Sequence, residues 1–438
     1  MGSYLPNSPD ERRKMLETLG ISSEDALFAH IPAAVKVDAL NLPKGLSELA
    51  VRRHMEALAG KNQVFRSIFR GAGAYWHYIP AIVKSVAAKE EFLTAYTPYQ
   101  AEISQGILQS IFEYQTMICE LTGMDVSNAS VYDGASAAAE ATAMCRERKR
   151  QKILISGAVD PQTAETVHTY SFGSGAPVET VPLRDGRTDP DALCAALTPE
   201  VSCVLLQQPN FFGLLEDVQA LAQAVHAAGA KLIVSVNPIS LGLLATPAEQ
   251  GADIAIGDGQ PLGLPLAFGG PYLGFIACTK ALMRRMPGRI VGETTDADGK
   301  RAFVLTLQAR EQHIRREKAS SNLCSNQALC ALTAAAYLAA MGPGGLHEIA
   351  GQCAAKAQYA AARLCEIDGV SLAYQPPFFH EFVTRLPATP NAVLAALEDE
   401  NILGGLPVEG GILWCVTEMC TKEQIDEMVR IVREVCVV

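Results

Sequence analysis

The stretch Ala252–Lys280 has the residue pattern of a loop at an active site. Two short apolar runs, Asp253–Ile256 and Leu273–Cys278, enclose a segment rich in glycine and proline. Such runs predict neighbouring strands of a buried sheet, and sheets of this kind place their reactive groups at strand ends. The segment between them contains Asp258 and Gln260 but no lysine, histidine, cysteine or serine. The sequence therefore predicts a site-like loop that lacks a nucleophile.

A second strand end lacks a group that one common cofactor requires. Where such sheets hold pyridoxal phosphate, a carboxylate here usually pairs with the pyridine nitrogen, and a lysine about 25 residues later forms the Schiff base. This chain has Ser235 and Asn237 at the first position and Gln260 near the second. The amide of Gln260 cannot form an imine. The nearest lysines are wrongly placed, because Lys231 lies before a predicted strand and Lys280 lies after the end of another. Two missing groups indicate a site that has lost its cofactor.

The start of a predicted helix offers a place for a phosphate group. A strand from Ser127 runs into a helix whose first turn is Gly134, Ala135 and Ser136. Free backbone N–H groups and the helix dipole make such a turn suitable for an anion. Capping of the helix by Asp133 or Ser136 is the other interpretation of the same residues.

A loop before a long helix combines aromatic and polar side chains. It consists of Tyr96, Thr97, Pro98, Tyr99 and Gln100. This composition suits a loop that approaches a ligand closely, and it suits a packed subunit interface equally well.

A basic cluster follows in the stretch AREQHIRREKASSN, which contains Arg315 and Arg316. The residues from Leu305 to Lys318 are predicted to be helical. A solvated face with internal ion pairs is one interpretation, and bidentate capture of a carboxylate at an interface is another. His77 and His168 are single histidines in apolar or mixed surroundings, and we interpret both as structural.

The composition is that of a folded protein of a reducing, cytoplasmic compartment. Of the 438 residues 49% are hydrophobic, and the net charge of −11 argues against binding of nucleic acid. The apolar run Ala328–Ala340 is too short to span a membrane, and the N-terminus shows no secretion signal. The 12 cysteines show neither the spacing of a zinc site nor a disulfide framework, so no metal is expected.

Alternating strands and helices from Ser127 onward predict an α/β fold with a mostly parallel sheet of about seven strands. A long alanine-rich helix is expected to end at Gly342, before a pattern of strand, helix, strand and helix. The expected division is an N-terminal helical arm over residues 1–65, a large α/β domain over 66–320, and a long helix with a small α+β domain over 321–438.

Four long motifs, spread in order along the chain, resemble one family. They are FLTAYTPYQAEISQG, ELTGMDVSNASVYDGASAAAEA, RMPGRIVGETTDADGKRAF and LQAREQHIRREKASSNLC. The chain resembles the glycine dehydrogenase (decarboxylating) family, the P-proteins of the glycine cleavage system, and within it the subunit 1 chains of split P-proteins. The resemblance spans essentially the full sequence.

The resemblance implies the architecture of a fold-type-I pyridoxal-phosphate-dependent transferase. It implies a homologous second subunit that carries the cofactor lysine, in an α2β2 heterotetramer. The complex is expected to decarboxylate glycine, release CO2 and pass the aminomethyl group to the lipoamide of the H-protein. This chain would bind no pyridoxal phosphate covalently, and its turn Gly134, Ala135 and Ser136 would be a vestigial phosphate cup.

The resemblance also suggests a role at the partner's active site. Since fold-type-I sites lie at a dimer interface, the loop from Tyr96 to Gln100, with Arg315 or Arg316, would form a wall of that site. One alternative is an independent pyridoxal-phosphate lyase or aminotransferase, which the missing lysine disfavours. Another is a non-catalytic scaffold that stabilises the partner and docks the lipoyl carrier.

Overall fold

The computed structural model describes residues 7–37, 39–319, 321–375 and 377–437. The chain forms two compact units, Met1–Val64 and Phe65–Val438. The finer division of the second unit into a large and a small domain stays a prediction.

The first unit consists of short helices. The side chain of Ser8 accepts a hydrogen bond from Glu11 N, and the Ser8 N–H donates to the Glu11 carboxylate, which completes the capping box that the sequence predicts. No described residue within these helices is buried. The α-helices are Pro9–Leu19 and Glu48–Ala59, and the 3-10 helices are Glu24–Phe28 and Ala33–Val35.

A seven-stranded sheet is the centre of the second unit. Its strands in chain order are β1 (Val126–Ser127), β2 (Lys152–Ser156), β3 (Val178–Val181), β4 (Val201–Gln208), β5 (Lys231–Val236), β6 (Ile254–Asp258) and β7 (Gly274–Cys278). Their spatial order is β1-β7-β6-β5-β4-β2-β3. Strands β2 to β6 are parallel, whereas β7 is antiparallel to both β6 and β1. The predicted mostly parallel sheet is confirmed.

Both faces of this sheet are covered by apolar side chains. In β4, Val204 and Leu206 belong to one hydrophobic cluster, while Cys203 and Leu205 belong to another on the opposite face. Strands that are buried on both faces have continuous apolar sequences, as parallel strands between helical layers do. The carboxyl ends of β2, β4, β5 and β6 consequently meet at one edge, where polar residues can gather.

Helices surround the sheet. The helix Gln105–Thr122 ends at Gly123, which adopts the left-handed conformation with φ of 72°. The other α-helices before the C-terminal part are Ala81–Ala87, Glu90–Leu93, Gly134–Cys145, Pro161–Ser174, Pro190–Ala196, Val218–Ala227 and Gln312–Arg315. The 3-10 helices are Ala101–Ile103, Ser240–Gly242, Lys280–Arg285, Gln308–Arg310 and Arg316–Lys318.

The C-terminal part contains a smaller antiparallel sheet. Its strands in spatial order are Ser371–Leu372, Glu381–Arg385, Gly411–Cys415 and Leu406–Val408. The helices Pro390–Asp399 and Lys422–Cys436 pack with it around the buried Trp414. Two further pairs of short strands are Ser67–Ile68 with Ile402–Leu403 and Leu183–Arg184 with Arg187–Thr188.

The alanine-rich helix is longer than the sequence predicts. It extends over Ala328–Cys365, and Gly342 interrupts it with φ of 61° and ψ of 179° just before Pro343. Pro343 lacks an N–H but is tolerated in the first turn after the break, so the helix resumes. The complete helix is long and apolar enough to cross a membrane, contrary to the expectation from the shorter run, but Tyr337, Leu346 and other residues on both sides of the break are buried in the core.

A β-hairpin occupies a segment where the sequence analysis placed no strands. Ile290–Thr295 pairs antiparallel with Arg301–Thr306, and Asp296 accepts hydrogen bonds from the turn that joins them. The predicted helix from Leu305 to Lys318 is therefore wrong at its start. The remainder consists of single turns, and Arg316 has a φ of 54°, which a continuous helix does not permit.

Candidate functional site

A cleft of about 400 Å³ lies at the carboxyl edge of the large sheet. Residues at or just beyond the ends of four strands line it, namely Asp160 after β2, Gln207 in β4, Asn237 after β5 and Asp258 in β6. The turn at Gly134 closes one side. Ligands of open α/β sheets bind in this position, outside the carboxyl ends of the strands.

Gln260 is buried beside this cleft, with 1% of its surface exposed. Its Oε1 accepts a hydrogen bond from Tyr75 N at 2.7 Å, and its Nε2 donates to Tyr75 O and Leu264 O, both at 2.8 Å. The amide thus joins the segment around Tyr75 to the loop after β6. Gln260 acts as a brace between two backbone segments.

Asp258 and Asp133 accept hydrogen bonds from the free N–H groups at the N-terminus of the helix Gly134–Cys145. Gly134 N donates to Asp258 Oδ2 at 3.0 Å, and Ser136 N donates to Asp133 Oδ1 at 2.7 Å. Burial raises the pKa of Asp258 to about 6, although hydrogen bonds from Gly134 and Gln260 favour its ionised form. At neutral pH the helix N-terminus therefore already faces carboxylates of its own chain.

The cleft is acidic. Its described lining contains the carboxylates of Asp133, Asp160, Asp258 and Glu381, and it contains no lysine or arginine. Glu381 accepts hydrogen bonds from Ala72 N at 2.7 Å and from the Tyr75 hydroxyl at 2.9 Å, and burial raises its pKa to about 7.

Asn237 and His380 meet at the end of β5. Asn237 Nδ2 lies 3.2 Å from His380 Nε2, and burial lowers the pKa of His380 to about 3, so this histidine is neutral. An amide next to a neutral imidazole supplies no negative charge for a protonated pyridine.

These residues do not fit pyridoxal phosphate. A dianionic phosphate at Gly134 would meet the carboxylates of Asp258 and Asp133, which already accept the N–H groups it needs. Gln260 cannot form a covalent link, and the end of β5 provides no partner for the pyridine nitrogen. We therefore assign no chemical step to a cofactor in this cleft.

The loop from Tyr96 to Gln100 lies apart from the cleft, whose lining includes none of its residues. Tyr96 and Tyr99 are 86% and 57% exposed, Gln100 is exposed, Thr97 is half-buried and Pro98 is buried. The loop is therefore anchored at Pro98 and presents its aromatic side chains to the surroundings.

Arg289 binds this loop from the interior of the protein. It is a buried side chain whose Nη2 donates to the Tyr99 hydroxyl at 3.1 Å and to Cys324 O at 2.7 Å, and whose Nη1 donates to Asn326 Oδ1 at 3.3 Å. The guanidinium thus connects the Tyr99 loop to the segment before the long helix.

The arginines from the basic cluster do not reach the acidic cleft. Arg315 is exposed and donates to Ala309 O at 3.2 Å. Arg316 is also exposed and lines a separate cleft of about 770 Å³ that includes Glu140 and Tyr170.

Some site residues escaped the sequence analysis because they come from distant parts of the chain. Asp160 caps the helix that follows β2, and Glu381 is a charge within a mostly apolar strand. Each carried a local signal, but neither signal shows that the two side chains line one cleft. Arg289, a single arginine before a hairpin, carried no comparable signal.

A cluster with potential metal ligands was also missed. The ligand atoms of His77, Cys353 and Glu418 lie within 4.8 Å of one another. Glu418 already accepts hydrogen bonds from His77 Nδ1 at 2.7 Å, from Cys353 Sγ at 3.5 Å and from Tyr78 N at 2.7 Å. Hydrogen bonding accounts for the arrangement without an ion, and it gives the buried His77 a structural contact.

The mostly parallel sheet, the cleft at its carboxyl edge and the smaller antiparallel sheet define the class of fold-type-I pyridoxal-phosphate-dependent enzymes. Aspartate aminotransferase from Thermus thermophilus superposes with a TM-score of 0.58, covering 85% of this chain and 99% of that protein. At 16% identity, this similarity shows the fold alone.

The family follows from closer relatives. A model of the glycine cleavage system P-protein family matches residues 2–432. The probable glycine dehydrogenase (decarboxylating) subunit 1 of Moorella thermoacetica is 52% identical over 98% of this chain and 99% of its own length. A crystal structure of glycine decarboxylase (P-protein) in inhibitor-bound form is 44% identical, with a TM-score of 0.94 over 99% of this chain and 100% of that one.

The chain belongs to the glycine cleavage system P-protein family. The predicted resemblance, the fold class and the enzyme class, glycine dehydrogenase (decarboxylating), are thereby confirmed. The family depends on pyridoxal phosphate, and the designation of its relatives as subunit 1 implies a second subunit.

Proposed function

We propose that this chain is the cofactor-free subunit of a two-subunit, glycine-decarboxylating P-protein. It pairs with the homologous subunit 2, which carries the Schiff-base lysine and the pyridoxal phosphate, and it completes the active site of that partner. The observation that carries the proposal is Gln260, an amide whose oxygen and nitrogen are both engaged with backbone groups near the position where the chemistry requires a free lysine.

The second part of the proposal concerns the loop from Tyr96 to Gln100. It presents exposed aromatic and amide side chains, and Arg289 fixes the Tyr99 hydroxyl from the protein interior. An anchored loop with exposed polar and aromatic groups can exclude water and orient a substrate in a site across an interface. We place glycine in the partner's site against this wall, with Arg315 or Arg316 as further candidate contacts for carboxylates.

The remaining parts of the proposal concern the assembly, its compartment and its acceptor protein. The assembly is an α2β2 heterotetramer in the cytoplasm, and its reaction releases CO2 and transfers the aminomethyl group to the lipoamide of the H-protein. In this chain the acidic cleft has a structural role, because its carboxylates and Gln260 are occupied by contacts within the chain.

Co-expression with the lysine-bearing subunit tests the assembly. We expect the two chains to elute together at the size of a heterotetramer, with pyridoxal phosphate at one equivalent per αβ pair. Glycine–bicarbonate exchange is expected only from the mixture. A borohydride-reducible cofactor bound to this chain alone, or full exchange by the partner alone, would contradict the proposal.

Variants of the loop separate an active-site wall from a scaffold. Tyr99→Phe and Gln100→Ala are expected to reduce exchange at least tenfold in a complex of normal size. Tyr78→Phe is the matched control, because Tyr78 is also 57% exposed but lies outside the loop. Normal exchange by both loop variants would show that this chain supports the partner as a scaffold.

A further inference from the structure

The helix Gly134–Cys145 is held at its N-terminus by a side chain from a distant part of the chain. Asp133 is an ordinary cap, since it immediately precedes the helix and accepts from Ser136 N. Asp258, in contrast, comes from the end of β6, and its Oδ2 lies 3.0 Å from Gly134 N. Helix capping by neighbouring residues does not require this second carboxylate.

The contact between Asp258 and the helix is close and fixed on both sides. Asp258 Oδ1 accepts from Gln260 N at 2.8 Å, so the carboxylate bridges the helix and the loop after β6. A Cβ atom added to Gly134 would lie 3.0 Å from Asp258 N and from Asp258 Cβ. Position 134 is therefore tight for any residue larger than glycine, because the end of β6 lies against the first turn of the helix.

Two contacts that a cofactor supplies in this class of fold are thus made by the chain itself. A phosphate would neutralise the helix N-terminus, and a lysine link would connect the cofactor to the loop after the strand. Here Asp258 contacts the helix, while Gln260, two residues later, bonds to Tyr75 and Leu264. The two residues that make these contacts, Asp258 and Gln260, lie on one short segment at the end of β6.

We propose that Asp258 is a built-in substitute for a cofactor phosphate, which holds the helix Gly134–Cys145 against the sheet so that the fold is complete without a ligand. The proposal rests on the cofactor-free assignment proposed above and goes beyond it. Its test uses this chain alone, so that failure of the substitution and failure of the assembly are distinguishable. It implies that removal of the Asp258 carboxylate frees Gly134 N for an anion, while Asp133 keeps Ser136 N.

Chemical rescue by inorganic phosphate tests this substitution. The full-length chain and its Asp258→Ala variant are unfolded thermally at pH 7.5, monitored by circular dichroism, in phosphate and in chloride of equal ionic strength. We expect the variant to lose several degrees of Tm in chloride. Phosphate raises the Tm of folded proteins in general, so the parent chain gives the baseline difference between the two salts. Beyond that baseline, phosphate is expected to restore at least half of the variant's loss.

Asp217→Ala is the matched control. Asp217 is an exposed cap whose Oδ1 accepts from Ala220 N at 3.1 Å at the start of the helix Val218–Ala227. Its removal opens a helix N-terminus that faces solvent. We expect the difference between phosphate and chloride in this variant to equal that of the parent chain, so that a general effect of phosphate on helix ends is distinguished from binding at Gly134.

Two results would overturn the proposal. One is an Asp258→Ala variant with the Tm of the parent chain, and the other is a destabilised variant that shows only the baseline difference between the two salts. If the alanine variant does not fold, Asp258→Asn decides, because it keeps one acceptor and loses the charge. A lowered Tm that phosphate raises beyond the baseline supports the substitution, whereas an unchanged Tm shows that no anion is needed and contradicts it.

Discussion

The brace formed by Gln260 can be removed while its volume is nearly kept. Gln260→Met removes the amide oxygen, which accepts one hydrogen bond, and the amide nitrogen, which donates two, from a side chain that is 1% exposed. Tyr75 N, Tyr75 O and Leu264 O then lose their partner. Because the site is buried, water has little access to replace these bonds, and Met is flexible enough to fill the space without new strain.

The cost follows from the three bonds. Each typical hydrogen bond contributes about 1 kcal/mol net, and a buried group left without a partner costs about 1–3 kcal/mol. One N–H and two carbonyl groups lose their partner, so the free energy of unfolding should fall by about 3–9 kcal/mol. A loss of this size is a large fraction of the about 5–15 kcal/mol that stabilises a typical protein.

Denaturation by urea, followed by circular dichroism, measures this loss. Gln105→Met is the matched control, since Gln105 also makes three such bonds, to Ala101 O, Phe303 O and Phe303 N, but is only half-buried. We expect the control to lose no more than about 2 kcal/mol, because water can reach its partners. Equal losses in both variants, or a loss below about 1 kcal/mol for Gln260→Met, would refute the assignment of Gln260 as a buried brace.

Three further predictions concern the cleft and the loop. Gln260→Lys is expected to leave the chain without covalent pyridoxal phosphate, as checked by borohydride reduction and mass spectrometry, because the carboxylates of Asp258 and Asp133 still occupy the helix N-terminus; a reduced adduct would contradict this. Burial raises the pKa of Glu381 from 4.5 to about 7, so the folded state keeps this proton to a higher pH than the unfolded state does. The stability that results is lost as the pH rises from about 4.5 to 7. Glu381→Gln should remove this pH dependence of the free energy of unfolding in urea, and an unchanged pH dependence would exclude the carboxyl as its source. Arg289→Met should reduce glycine–bicarbonate exchange of the complex as much as Tyr99→Phe does, because Arg289 binds the Tyr99 hydroxyl. The double variant should lose no more activity than either single variant. Additive losses would show that Arg289 does not act through Tyr99.

The sheet could be predicted from the sequence because its strands are short, apolar and separated by clear turn and helix signals. For β4 and β5, the continuous apolar sequence corresponds to burial on both faces. The hairpin Ile290–Thr295 with Arg301–Thr306 was missed although its turn contains Asp-Gly, which favours hairpins. The charged residues beyond it resembled a helical face, and tertiary contacts such as that of Arg310 with Gly288 O favoured single turns instead.

The candidate site could be predicted only in part. The absence of a lysine near Gln260 is a property of the sequence, but the partners of its amide depend on Tyr75, 185 residues away. Periodicity and spacing report local structure, and they do not show which distant carboxylates will share one cleft. The pairing of Asp258 with Gly134 and of Glu381 with Ala72 therefore required the folded chain.

The position of Asp258 has a consequence for the maturation of such a protein. A cofactor that binds from solution occupies its site according to its concentration, so a cell short of vitamin B6 leaves sites empty. A carboxylate attached to the neighbouring strand has a fixed effective concentration, whatever the cell contains. The contact between Asp258 and Gly134 forms by a unimolecular step. Under the proposed substitution, newly made chains reach their final shape independently of the vitamin supply.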